Sequence, residues 1–219
     1  MLTIYYAQKS ELMSDVFWEW CYQQLPQNIS DKIKQKSSQK KTQSSLLGYL
    51  LLKESLKRNG FCDSINELKK TSKGKPIIIS NFDFNISHSG DFVVCAFSEK
   101  YSLGIDIERV KPTSLLPLQQ FFTVDEWNKI QQSKNSQEQF FRLWTQKEAV
   151  VKADGRGLNI PLKEISIQNN NGYVEQTQWF LQEVPLDKNY VMHVATNEPF
   201  REYKMVKISF KYQSKPQNQ

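Results

Sequence analysis

The sequence predicts an α+β protein whose two halves each run helix first, then strands. Three observations carry that reading. Apolar residues recur at helical spacing in two segments, residues 42–58 and 137–153. Each segment is followed by short β-branched and aromatic runs broken by turn residues. Both helical segments also carry a Lys-Glu pair, Lys53-Glu54 and Lys147-Glu148, shortly before a terminating glycine.

In the first half, Leu46, Leu47, Leu50 and Leu51 form one apolar stripe, and Asn59-Gly60 stops the helix. A Lys-rich loop with Gly74 and Pro76 leads to Ile77-Ile78-Ile79, then to residues 84–86 and 92–97, which read as strands around the turn Ser89-Gly90-Asp91. A further strand, residues 103–110, ends before Lys111-Pro112. In the second half, residues 137–153 form a helix closed by Asp154-Gly155, and residues 165–167, 179–180 and 190–195 are strand-like. Residues 213–219 are polar, contain a proline and are expected to fray. The division expected is residues 1–102 and residues 103–219.

The 219 residues are enough for one large domain or two small ones with real cores. With 12% aromatic residues, the chain carries more apolar bulk than a disordered polymer does. Cys21, Cys62 and Cys95 are odd in number and far apart, so neither a disulfide framework nor a metal knuckle is indicated. No basic stretch followed by an apolar run opens the chain, and no segment reaches the roughly 18 apolar residues of a membrane span. A cytoplasmic protein with no membrane partner is expected.

The charge is unevenly placed. Residues 31–75 hold twelve basic and four acidic residues, a surplus larger than the net +6 of the whole chain. Such a run is either a solvated helix face or a surface for a polyanion, nucleic acid or a phosphorylated small molecule.

Three segments carry chemistry. In Leu103-Gly104-Ile105-Asp106-Ile107-Glu108 the period of two sends Leu103, Ile105 and Ile107 to one face and Gly104, Asp106 and Glu108 to the other. Two carboxylates roughly 7 Å apart then share a face, with the glycine leaving space beside them. Either that face is solvated, or a cation relieves the like charges. On the second helix, Glu148 and Lys152 stand four apart along an aromatic stripe that includes Phe141 and Trp144. They make an ordinary surface pair or part of a site. The helix closes with Gly155-Arg156-Gly157-Leu158, and the second glycine suggests a close approach of something to the backbone. Finally, Asn85-Ile86-Ser87-His88-Ser89-Gly90-Asp91 offers hydroxyl and imidazole donors that suit an anion.

Taken in order, these segments resemble one family, the 4′-phosphopantetheinyl transferases of the long surfactin-synthetase-activating (Sfp) type. The resemblance rests on Gly74-Lys75-Pro76, on Phe84-Asn85-Ile86-Ser87-His88-Ser89-Gly90 and on Gly104-Ile105-Asp106-Ile107-Glu108. It extends to Phe121-Phe122-Thr123 with Glu126, and to Leu143-Trp144-Thr145-Gln146-Lys147-Glu148-Ala149 with Lys152 and Gly155-Arg156-Gly157-Leu158.

The resemblance implies two similar α/β halves about a pseudo-twofold axis with the active site in the cleft between them. It implies transfer of the phosphopantetheine arm of coenzyme A to a serine of an apo acyl or peptidyl carrier protein, releasing adenosine 3′,5′-bisphosphate. By the same resemblance Asp106, Glu108 and Glu148 hold Mg²⁺, with Mn²⁺ an alternative. Glu148 is then also the general base, and Lys152 stabilises charge on the pyrophosphate. Lys75, Ser87, His88, Lys32 and Ser45 match positions that contact coenzyme A. Ser44 stands where the family has an arginine, and Ile29 where it has a second lysine, so Lys34, Lys36, Lys40 and Lys41 are the substitutes available. The carrier is expected to dock near Phe121 and Phe122, which can equally be core, and the enzyme is expected to be a monomer. The competing class is a non-catalytic nucleotide or nucleic-acid binder. Base stacking needs aromatics among the lysines, and residues 31–45 contain none, so no nucleic-acid partner is expected. A phosphodiesterase on the same carboxylates is a weaker alternative, lacking the His ligands many such sites use.

Overall fold

A computed structural model describes residues 1–9, 14–36, 38–71 and 75–210. Gly74 and the segment 213–219 lie outside the described residues. The chain runs β1 (Leu2–Gln8), α1 (Asp15–Gln23), α2 (Gln27–Lys34), α3 (Gln39–Arg58), β2 (Lys69–Lys70), β3 (Pro76–Ile77), β4 (Asp83–Ser89), β5 (Phe92–Ser98) and β6 (Leu103–Arg109). It continues through α4 (Val124–Gln132), α5 (Ser136–Asp154), β7 (Ser166–Gln168), β8 (Asn171–Val174), β9 (Thr177–Glu183), β10 (Tyr190–Thr196) and β11 (Tyr203–Lys207). Short 3₁₀ turns at Leu116–Phe121 and Leu162–Glu164 flank α4 and follow α5.

The strands form a sheet of order β11-β1-β5-β4, a second of order β6-β10-β9-β8-β7, and the small pair β2-β3. Alternation along the strands assembles the layers. Phe92, Val94 and Ala96 of β5, with Leu2 and Ile4 of β1, face Leu103, Ile105 and Ile107 of β6 and Met192 and Val194 of β10, so the two sheets share one core. The opposite residues of β5, Val93, Cys95 and Phe97, pack under α3, whose stripe Leu46, Leu47, Leu50 and Leu51 is buried as its spacing requires. On the far face of the second sheet, Ala149, Val150 and Ala153 of α5 pack against Leu181 and Ala195. The order through the molecule is helix, sheet, sheet, helix.

Both long predicted helices are present, and α3 begins three residues earlier than its apolar stripe implies. Helix α5 runs from an Asn135 cap to Gly155, whose φ of 82° is the left-handed stop that residue type favours. Ile77-Ile78-Ile79 does not form the strand expected of it. Only Pro76 and Ile77 pair, with the two-residue β2, and Ile79 is 77% exposed, because no longer strand lies alongside to extend the ladder.

β11, from residues 203–207, pairs in parallel with β1 and completes the first sheet. Among the described residues no helix is long and apolar enough to cross a membrane. Cys21, Cys62 and Cys95 are all free thiols.

Candidate active site

The edges of the two sheets meet at β4 and β6, and no backbone ladder joins them. The N–H groups on the outer side of β6 would be left unpaired, which is costly for a covered edge. Alternate side chains of β4 take them up instead. The amides of Leu103, Ile105, Ile107 and Arg109 donate to Asp83 Oδ2 at 2.9 Å, Asn85 Oδ1 at 3.1 Å, Ser87 Oγ at 3.4 Å and Ser89 Oγ at 3.0 Å. Polar residues at every second position of β4 thus stitch the two sheets together.

The same seam holds the carboxylates. Ser87 Oγ donates to Asp106 Oδ1 at 2.8 Å, and Ser89 Oγ donates to Glu108 Oε2. Asp106 and Glu108 project from β6 on the face opposite the shared core, towards α5, as the alternation of the strand predicts. Asp106 is buried, and its Oδ2 has no hydrogen-bond partner.

Helix α5 brings the other half of the site. Lys152 Nζ donates to Asp106 Oδ1 at 2.6 Å, to Ser87 Oγ at 2.9 Å and to the Ile105 carbonyl at 3.1 Å. The close approach of helix to strand depends on Gly104. A Cβ there would stand 2.1 Å from the Ala149 carbonyl oxygen and 2.3 Å from the Ala153 nitrogen. The space expected beside the carboxylates is therefore filled by the backbone of α5, and the glycine serves packing.

The three carboxylates sense one another. Burial pushes the Glu148 pKa up, and the charges of Asp106 and Glu108 add to it against the opposing Lys152. Burial likewise raises Glu108, with the Ser89 hydrogen bond opposing and the Asp106 charge adding. Oxygen-only donors, mutual repulsion and the orphaned Asp106 Oδ2 fit a hard divalent cation. Among the described residues no three His, Cys, Asp or Glu side chains already converge as a metal cage.

Around this centre lie two basic recesses. A cleft of about 230 Å³ between the halves is lined by Lys75, Asn85, Ile86, Lys152, Gly155 and Gly157. Lys75 pairs with Asp83 at 3.4 Å, and its stem is what comes close to Gly155, 3.4 Å from the position of a Cβ. Gly157 is also left-handed, at φ 62°, so both loop glycines answer to backbone geometry. A second recess of about 180 Å³ collects Lys32, Lys36, Lys69 and Lys70 around Tyr49. Lys36 Nζ donates to Ser45 Oγ, and partial burial, with Lys70 and Lys41 nearby, lowers its pKa. His88, at the exposed end of the β4 face that carries Phe84 and Ile86, has its pKa lowered by partial burial first and then by Lys9, Lys152 and Lys36.

The predicted residues therefore fall into groups. Asp106, Glu108, Glu148 and Lys152 gather at one centre, with Ser87 committed to Asp106 and Lys152. Lys75 lines the cleft, and Lys32 and Ser45 meet at the second recess through Lys36. Phe122 is buried against Trp127 and Phe140, while Phe121 is half-buried, edge-on to Trp144. Sequence reading missed Asp83, took Ser89 for a turn residue and anion donor, and undervalued Asn85 and Lys36. The polar period of two along β4 was the available signal for the first three.

Comparison with known proteins places these features in a wider setting. Residues 102–205 match the family described as "4'-phosphopantetheinyl transferase superfamily", and residues 13–100 match "4'-phosphopantetheinyl transferase, N-terminal". The chain is 33% identical over 168 residues to the 4'-phosphopantetheinyl transferase Sfp of Bacillus subtilis (strain 168), covering 71% of this chain and 74% of that protein. It is 41% identical over 129 residues to 4'-phosphopantetheinyl transferase gsp of Aneurinibacillus migulanus, covering 58% and 54%. Over 223 residues it is 27% identical to the L-aminoadipate-semialdehyde dehydrogenase-phosphopantetheinyl transferase of Rattus norvegicus, covering 86% and 72%.

Proposed function

The chain belongs to the 4′-phosphopantetheinyl transferase superfamily, and from that premise we propose that it moves the 4′-phosphopantetheine arm of coenzyme A onto a serine of an apo carrier protein. The observation that carries this reading is the centre where Asp106, Glu108, Glu148 and Lys152 meet at the seam between the sheets.

In such a transfer the serine oxygen forms a bond to the phosphorus bearing the pantetheine arm, the P–O bond to the nucleotide side breaks, and adenosine 3′,5′-bisphosphate leaves. Positioning and charge stabilisation are the main tasks of the protein. Asp106, Glu108 and Glu148 are the residues that would hold Mg²⁺, which when bound neutralises pyrophosphate charge. Glu148, with its pKa raised by burial, suits the general base that receives the serine proton, directly or through water. Lys152, held by Asp106 and Ser87, places a positive charge at the mouth of the inter-sheet cleft, where the pyrophosphate would lie. Lys75 extends that basic wall.

The recess of Lys32, Lys36, Lys69 and Lys70 suits the 3′-phosphate, with Ser45 as a further donor and Lys36 taking the part for which Ser44 and Ile29 offer no cation. Crowded ammonium groups gain most from an anion, because it relieves their mutual repulsion.

For the carrier, a cleft of about 510 Å³ beside α4 is lined by Leu116, Phe122, Val124, Trp127 and Lys163. Leu116 and Val124 are 71% and 74% exposed, an apolar pair beside a lysine that suits a small acidic helical protein. Action as a monomer in the cytoplasm completes the proposal.

The test is direct. Incubated with coenzyme A, Mg²⁺ and an apo carrier, the enzyme adds the mass of the arm to the carrier; no mass gain across a panel of fatty-acid, polyketide and peptide carriers would refute the activity.

A further inference from the structure

One buried cation lies beneath the cleft just described and takes no part in the chemistry above. Lys147 is fully buried, although lysine is among the residues least often found so. Its ammonium donates to the Leu162 carbonyl at 2.9 Å and the Ile165 carbonyl at 2.7 Å, and pairs with Glu126 Oε2 at 2.8 Å. Glu126 is itself buried, and the same Oε2 accepts the Thr123 amide at 2.9 Å in the box that starts α4.

None of the three partners of Lys147 lines the cleft itself, but each lies within two residues of one that does. Thr123 and Val124 at the start of α4 form one wall, and Lys163, between the two bonded carbonyls, forms the other. The ring of Phe122, at the cleft floor, lies 5.6 Å from the ammonium. Lys147 also immediately precedes Glu148 on α5, so one backbone step separates the anchor of the cleft from the reaction centre.

We propose that Lys147 is a positioning residue for the acceptor: it locks the two walls of the carrier cleft at a set distance from Glu148. The inference rests on the docking reading given above. A hydrophobic side chain would fill the same volume at lower desolvation cost. Three directed bonds to separate segments fix a spacing that apolar packing alone leaves adjustable.

Removing one partner of a buried pair leaves a charge without compensation and threatens folding, so the test replaces both. In Lys147→Met with Glu126→Gln, the glutamine oxygen still accepts the Thr123 amide while the bonds to Leu162 and Ile165 are lost. The expected result, in material with a cooperative melt, is a rise of roughly 10- to 100-fold in KM for the carrier, with KM for coenzyme A within about twofold of wild type. A solely structural role would leave the two KM values in their original ratio, and that outcome overturns the proposal. Lys147→Gln with Glu126→Gln, which leaves no buried charge and keeps one amide donor for the carbonyls, gives a smaller rise of the same sign, and an unchanged carrier KM there overturns the proposal should the first double variant fail to fold. Leu116→Asp separates the two levels. If it raises carrier KM and the buried variants do not, the positioning role falls and the docking surface stands; if it too has no effect, the docking surface falls and the inference with it.

Discussion

Replacing Gly104 by alanine tests whether the contact of α5 with β6 sets the reaction centre. The added Cβ would meet the Ala149 carbonyl oxygen at 2.1 Å, the Ala153 nitrogen at 2.3 Å and the Lys152 carbonyl carbon at 2.9 Å, all of them helix backbone. No rotamer change can relieve such contacts. To restore ordinary contact near 3.4 Å the helix must withdraw by about 1.3 Å. The Lys152 to Asp106 bond, now 2.6 Å, would then open to roughly 3.9 Å, beyond hydrogen bonding. Overpacking of this kind costs about 1–3 kcal/mol, and each kcal/mol lowers Tm by about 2–4 °C in a chain of this size. A displacement near 1 Å at the reacting groups costs about 100-fold in rate. Thermal melts by circular dichroism and the carrier mass-shift assay, run under one set of conditions, measure both effects. Gly60→Ala is the control: its φ of 85° strains a side chain, yet nothing lies within 4 Å of the new carbon. It should cost about 1 kcal/mol and leave transfer unchanged. Wild-type rate in Gly104→Ala would show that the tight helix contact does not position the site.

Glu148→Gln should reduce transfer by about 10²–10³-fold or more. It should also raise Tm at neutral pH, because burial and two neighbouring carboxylates disfavour the native charge, so stability falls as pH rises past the ordinary carboxylate range. A lower Tm together with retained activity would contradict both points. Ser89→Ala removes the donor to Glu108 and the acceptor for the Arg109 amide. A loss of about 0.5–1.5 kcal/mol is expected in denaturant titration, since the Arg109 amide is exposed and water can take the place of the lost acceptor. His193 is buried, hydrogen-bonded to Thr145 at 2.8 Å, and its pKa is pushed down to about 3 from the ordinary 6.5, by burial first and then by Arg142. The unfolded chain therefore takes up that proton first as pH falls below 6.5, and the protein loses about 1.4 kcal/mol per pH unit from this group. His193→Gln should flatten that slope in melts between pH 6.5 and 4.5; identical slopes would show that His193 titrates normally.

Local periodicity was enough to identify the two long helices, the strand with Asp106 and Glu108 on one face, and the order of motifs that pointed to the family. Those features depend on neighbours two to four residues apart, which share one element whatever the rest of the chain does. The short Ile77-Ile78-Ile79 run misled because a strand needs a partner, and the partner available is two residues long. Phe121 and Phe122 had no resolution from sequence, since adjacent residues diverge in burial only once α4 and α5 are docked.

Only the tertiary structure decided how the centre is made. The stitching of β4 to β6 joins residues twenty apart, β11 returns across almost the whole chain to pair with β1, and Lys147 finds its partners in two other segments. Gly104 shows the difference in a single residue. Its position between the carboxylates could be read from the strand alone, but whether that gap admits a ligand or a helix depends on which surface packs there. Local sequence orders the side chains along each element, and the burial of apolar faces against one another determines which side chains then meet.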